Sequence, residues 1–280
     1  MSATARRFIQ CDVFSAVPTK GNGLAVVVDG DGLSDRTMQD FAAWTNLAET
    51  TFLMAPEESG ADYKVRIFTP AHEMPFAGHP TLGSCAAWRH AGGRPRQPGV
   101  VVQECAVGLV EIDIAGPVPA FKAPPTRIEN LPDEDRDAIA TALSLSPERI
   151  VRSARLDNGP VWQVLELASA ADVLAADSAR LRYPDFNAIG LFGPHPDGAD
   201  CDYEVRMLAP SSGMSEDPIT GSLNAAIGCW MYGAGLWQGT RRIAQGTAID
   251  REGRVTLRGE GEAVWVGGES QILIDGQVTL

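Results

Sequence analysis

A chain of 280 residues is long enough for one large domain or two of ordinary size, and 44% apolar with 21% charged residues excludes collagenous, disordered and coiled-coil proteins. Lysine and arginine number 23 against 36 aspartates and glutamates, a formal charge of −13. A field of that sign repels nucleic acid and anionic membranes, so neither is expected as a partner, while a small anionic substrate stays open because a helix N-terminus outweighs the global field at close range.

The N-terminus carries Arg6 and Arg7 but runs into Phe8-Ile-Gln-Cys-Asp12, with no apolar stretch as long as a signal peptide or membrane span, and a cytoplasmic location is expected. Gly21-Asn22-Gly23 is a turn signal ahead of an apolar strand, Leu24 to Val28. Ser34 is placed to cap a helix running to about Trp44. Glu49 follows, between that helix and a β-forming run, Thr51 to Met54. Partial burial against Trp44 and Phe52 would raise its pKa toward the range of a general acid or base; a solvated carboxylate is the plain alternative.

Tyr63 to Phe68 and Val100 to Gln103 read as strands, and Thr81 to Ala91 as a helix stopped by Gly92-Gly93. The proline-rich passage from Gly116 to Pro125 reads as a break, with a linker at 117–125 between domains at 1–116 and 126–270. Beyond it, Pro132 to Leu145 reads as a helix, Val161 to Leu167 as a strand and Ser169 to Leu181 as a further helix.

The second half repeats the first. Tyr63-Lys-Val-Arg-Ile-Phe-Thr-Pro70 matches Tyr203-Glu-Val-Arg-Met-Leu-Ala-Pro210 at an offset of 140. The match resumes with His79-Pro-Thr-Leu-Gly-Ser84 against Asp217-Pro-Ile-Thr-Gly-Ser222. Duplication predicts two similar domains with a cleft between them, and a loop followed by a helix start just after His79 and just after Asp217.

Those helix starts, Thr81 to Ser84 and Thr220 to Ser222, are expected to offer unpaired backbone N–H groups to a carboxylate. His79 would be kept neutral by the positive end of its helix dipole, available to accept or relay a proton; it also reads as a histidine packed at a turn. Asp217 reads either as a partner in that chemistry or as an ordinary helix-opening acid. Five cysteines, at 11, 85, 105, 201 and 229, are odd in number and widely spaced, so free buried thiols are expected. No pair has zinc-ligand spacing and no glycine pattern matches a nucleotide loop, so neither a metal nor an organic cofactor is expected.

The motifs in order are Asp12-Val-Phe with Gly21-Asn22, Asn46-Leu-Ala-Glu-Thr-Thr-Phe52, Arg66-Ile-Phe-Thr-Pro70, Pro75-Phe-Ala-Gly-His-Pro-Thr-Leu-Gly83 and Glu216-Asp-Pro-Ile-Thr-Gly-Ser222. Together they resemble the phenazine-biosynthesis PhzF-like isomerase family. The resemblance implies an α/β (α+β) chain of the diaminopimelate epimerase-like fold: two pseudo-symmetric domains, each a mixed sheet wrapped around a central helix, with the active site at their interface. The last strand, around Gln271 to Leu280, is expected to return to the first domain.

By the same resemblance the catalytic acid–base falls on Glu49, with His79, Asp217 and Ser222 as polar partners. Asn22, Gly78, Thr81, Gly83, Thr220, Gly221, Gln245 and Gly246 are the substrate-binding candidates, with Arg251 a further plausible element of the pocket. Related epimerases use a cysteine pair at the two helix starts, which this chain lacks. It also has Gly23 where the family often has proline, and a divergent stretch from Gln245 to Arg254. The expected function is a cofactor-independent isomerase that shuttles a proton between carbons of a small cyclic carboxylate, like trans-2,3-dihydro-3-hydroxyanthranilate isomerase, and is expected to be a homodimer. The alternatives are an amino or imino acid racemase or epimerase, and a non-catalytic metabolite-binding protein.

Overall fold

The computed structural model describes residues 4–210 and 215–280 and divides into two compact units, residues 1–122 with 267–280, and residues 123–266. In the first unit the chain runs β1 (Ala5–Val13), β2 (Asn22–Val27), α1 (Asp35–Thr45), β3 (Glu49–Met54), β4 (Tyr63–Phe68), β5 (Glu73–Met74), α2 (Gly78–His90), β6 (Val100–Cys105), β7 (Gly108–Asp113) and β8 (Ala120–Lys122). Pairing alternates: β1–β2 antiparallel, β2–β3 parallel, β3–β4 antiparallel, β4–β6 parallel, β6–β7 antiparallel.

Alternation along β3 sets its two faces. Thr50 and Phe52 point to α1, where Thr50 meets the Thr45 hydroxyl at 2.8 Å and Phe52 stacks edge-on against Phe41. Glu49 and Thr51 point to α2, where Thr51 accepts from Ser84 at 2.9 Å. The α1 stripe of Met38, Phe41 and Ala42 has the spacing of a one-sided surface helix, and Ser34 caps it by accepting the Thr37 N–H. Helix α2 is different: its first eight residues are all buried, and it packs against β1, β2, β3, β6 and β8. Small residues permit that enclosure, since a Cβ on Gly83 would lie 2.5 Å from the Leu24 side chain.

The second unit runs β9 (Arg127–Glu129), α3 (Asp133–Ala142), β10 (Ile150–Asp157), β11 (Val161–Leu167), α4 (Ala170–Ala175), β12 (Ile189–Pro194), β13 (Tyr203–Leu208), α5 (Gly221–Gly233), β14 (Thr240–Gln245), β15 (Gly253–Glu260) and β16 (Ala263–Gly267). From β10 to β15 the pairing repeats the first unit's order: antiparallel, parallel, antiparallel, parallel, antiparallel. Leu165, Leu167, Leu191 and Leu208 form a core with Ile139 of α3 and Val173 of α4, and the buried Leu223 of α5 reaches Gly190 of β12. The last strand, β17 (Ser270–Thr279), pairs antiparallel with β1 along its whole length.

The division between the units, after Lys122, falls inside the passage expected as a linker, which also holds β8, with Phe121 fully buried and edge-on to Phe76. Two expectations need correction. The helix expected to Leu181 stops at Ala175: the Asp177 N–H goes to the Leu143 carbonyl, and Arg206 takes the Val173 and Ala176 carbonyls. Helix α2 starts three residues ahead of Thr81, since Pro80 needs no N–H partner in a first turn. All five cysteines are free thiols, and burial pushes Cys11 and Cys85 up to about 12. Among the described residues no helix is long and apolar enough to cross a membrane.

Candidate functional site

Two clusters of buried polar groups stand out, one per unit, each at the start of the enclosed helix. In the first, Glu49 opens β3 and His79 is the second residue of α2. Their side chains meet with His79 Nδ1 at 3.2 Å from Glu49 Oε2, at side-chain exposures of 5% and 15%. Burial drives the His79 pKa down to about 3, against a weaker opposing pull from the Gly23 backbone. The imidazole is therefore neutral through the physiological range, with desolvation the main cause. Gly23 lies at the start of β2, and the residue just ahead of that strand is held by buried Asp12, whose carboxylate accepts the Gly21 N–H at 2.9 Å.

Donors at this helix start are fewer than expected. Thr81 donates its N–H and its hydroxyl to the Ala77 carbonyl, at 3.2 and 2.9 Å, and that hydroxyl also accepts from Gln103. Pro80 has no N–H, so the first-turn amides without an intrahelical acceptor are those of Gly78 and His79.

In the second unit Gln245, fully buried at the end of β14, organises the cluster. Its Oε1 accepts from the Thr220 N–H at 3.1 Å and from Asn224 Nδ2 at 2.7 Å, while its Nε2 donates to Thr220 Oγ1 at 3.0 Å. Thr220 in turn donates its hydroxyl to Asp217 Oδ2. Helix α5 opens on Gly221 and half-buried Ser222, and the amides of Gly221, Ser222 and Leu223 have no intrahelical acceptor. Gly246 turns the chain at φ +87; a Cβ there would lie 2.7 Å from both the Pro218 carbonyl and Arg251 Cβ, which packs this turn against the segment after Asp217.

The sequence model of the PhzC-PhzF family, described as "Phenazine biosynthesis-like protein", matches residues 11–276. The chain belongs to this family. Antisense-enhancing sequence 1 of Schizosaccharomyces pombe is 36% identical, covering 98% of this chain and 99% of that protein. Trans-2,3-dihydro-3-hydroxyanthranilate isomerase of Pseudomonas aeruginosa is 32% identical over the same shares of each. The crystal structure of a PhzF-family phenazine biosynthesis protein from Bacillus anthracis matches the fold with a TM-score of 0.85 at 20% identity, covering 99% of this chain and all of that one. The PhzC-PhzF family is one of isomerases, and this chain is an isomerase of the diaminopimelate epimerase-like fold.

Within this family member the first unit brings together Glu49, His79 and Gly78, and the second brings together Asp217, Thr220, Gly221, Gln245 and Gly246, with Ser222 in the first turn of α5. Asn22 is buried where β2 pairs with Val13. Three substrate-binding candidates also make contacts inside their own units. Gly83 packs closely, its Cα facing Leu24 and Val13. Thr81 spends its hydroxyl inside the unit, and the Thr220 N–H is taken by Gln245. Glu49 does not sit against Trp44 and Phe52 as expected: Phe52 is on the α1 face of β3, and Trp44 is 79% exposed and stacked on Phe41.

The repeat also aligns differently. β4 and β13 are 140 residues apart, but α2 and α5 are 143 apart, so His79 corresponds to Ser222 and Asp217 to Met74. Asp217 lies four residues ahead of its helix, bridged to Met207, and residues 211–214 before it lie outside the described residues. Asn224 was missed; a lone amide in the apolar run Leu223 to Ile227 was the available signal.

Proposed function

We propose that this isomerase moves a proton between two carbon atoms of a small cyclic carboxylate, with Glu49 as the group that removes and returns it. The carrying observation is the Glu49–His79 pair: a carboxylate and a neutral imidazole 3.2 Å apart, largely shielded from water, at the opening of an enclosed helix. Proton transfer by a positioned carboxylate needs a held geometry and little competing water, and this pair supplies both. In the step, a C–H bond breaks, its electron pair spreads into the conjugated system, and a new C–H bond forms elsewhere as the double bond moves. Electrons balance without an oxidant. The His79 ring orients Glu49 or relays its proton.

Asp217 is assigned to the same reaction as a second proton-handling group, and the first-turn amides of Gly221 and Ser222 as donors to a substrate oxygen. The substrate class rests on the Pseudomonas aeruginosa relative, whose name specifies trans-2,3-dihydro-3-hydroxyanthranilate.

The test is proton NMR in deuterated water with that compound and a panel of other cyclic carboxylates, comparing wild type with Glu49→Gln. Deuterium entering two carbon positions with wild type only, with a displaced double bond, supports the proposal. Exchange at one carbon with inversion would make the enzyme an epimerase instead, and full turnover by Glu49→Gln would remove Glu49 from the mechanism.

A further inference from the structure

Arg206 and Glu216 take no part in the chemistry above, yet both are almost wholly buried. Arg206 Nε and Nη2 converge on one oxygen of Glu216, Oε2, at 3.0 and 2.8 Å. Its Nη1 donates to the carbonyls of Val173 and Ala176, at 3.2 and 2.8 Å, at the end of α4. The other Glu216 oxygen, Oε1, is buried without a hydrogen-bond partner among the described residues. A buried pair with one oxygen left unsatisfied is a poor source of stability, and fixing register is the best-attested use of such pairs.

The register held here is that of Asp217. Its N–H donates to the Met207 carbonyl at 3.0 Å in a lone bridge, so Arg206 and Glu216 are the residues immediately before each bridge partner. The first unit carries the same device: Arg66 binds Glu73 through two bonds of 2.7 and 2.6 Å, and the following residues, Ile67 and Met74, pair. There the side chains are 22% and 40% exposed and the residue placed is a methionine; in the second unit they are 7% and 2% exposed and the residue placed is a carboxylate.

We propose that Arg206 and Glu216 are positioning residues for Asp217, a duplicated clasp that has been buried where it sets a reacting group. The inference rests on the reading that gives Asp217 a part in the reaction. The discriminating variant is Arg206→Lys, which keeps the charge but loses the planar fork that reaches Glu216 and two carbonyls together.

Two readouts are needed, amide hydrogen exchange by NMR and turnover of trans-2,3-dihydro-3-hydroxyanthranilate. The expected result is a folded protein in which the Asp217 and Thr220 amides exchange about tenfold faster or more relative to Leu191 and Val205, with kcat lowered about tenfold or more and KM within about threefold. Unchanged exchange at Asp217 and Thr220 in the folded variant overturns the proposal. Should Arg206→Lys not fold, Glu216→Gln, which keeps shape and an acceptor, is read the same way; failure of both to fold makes the pair part of the core and overturns it too. If wild type leaves the probe unchanged, or Asp217→Asn turns over fully, the assignment of Asp217 fails, and the exchange measurement still decides whether the clasp places that segment.

Discussion

Replacing His79 with glutamine is expected to flatten the acid side of the stability–pH curve. The folded-state pKa of about 3 lies below the unfolded value, so in the window between about 6.5 and 3 the unfolded chain binds a proton that the folded chain refuses. Stability is therefore undiminished above pH 6.5, falls as pH drops through that window, and stops falling on this account below about 3. At pH 5 the loss works out at about 2 kcal/mol relative to pH 7.5. That figure is insensitive to the folded value, since any folded pKa below about 4 leaves His79 unprotonated at pH 5. Urea unfolding of wild type and His79→Gln at pH 7.5, 6 and 5 isolates the effect, because the other titrating groups are common to both proteins. The rival is the Glu49 carboxylate 3.2 Å away, whose negative charge favours the protonated ring. Curves that run parallel within about 0.5 kcal/mol would refute desolvation as the dominant influence on His79.

The remaining predictions concern the second cluster and the first helix. Gln245→Leu leaves the Thr220 N–H and Asn224 Nδ2 without a shared acceptor, and about 2 kcal/mol or more of stability should be lost in urea titrations, together with turnover. Ser34→Ala removes the α1 cap, costing about 1 kcal/mol in thermal or urea unfolding with turnover unchanged, because α1 packs on the face of β3 opposite Glu49.

Much of the fold was legible because it rests on local patterns. Alternating apolar residues mark β4 and β11, Ser34 marks the start of α1, and the shared Tyr-x-Val-Arg stretch marks β4 and β13 as equivalents. Strands with little alternation of their own, such as β7 and β10, were not legible: they are set by the neighbours they pair with. The end of α4 was hidden for a similar reason, since its last carbonyls are claimed by Arg206 from a strand thirty residues on.

Within the candidate site, the sequence by itself determined which chemical groups are present: Glu49, His79, Asp217 and Ser222 stand in recognisable motifs, and Gln245 opens a stretch that departs from the family pattern. Only the tertiary structure decided which of them meet and in what state. A three-residue difference between the two copies, invisible until both helix starts are known, makes Ser222 and not Asp217 the counterpart of His79. The neutrality of His79 follows from burial by strands distant in sequence, and the face on which Glu49 lies follows from which helix each side of β3 covers. Desolvation and facing are properties of the packed units, because they depend on what surrounds a residue in space and not on what precedes it in the chain.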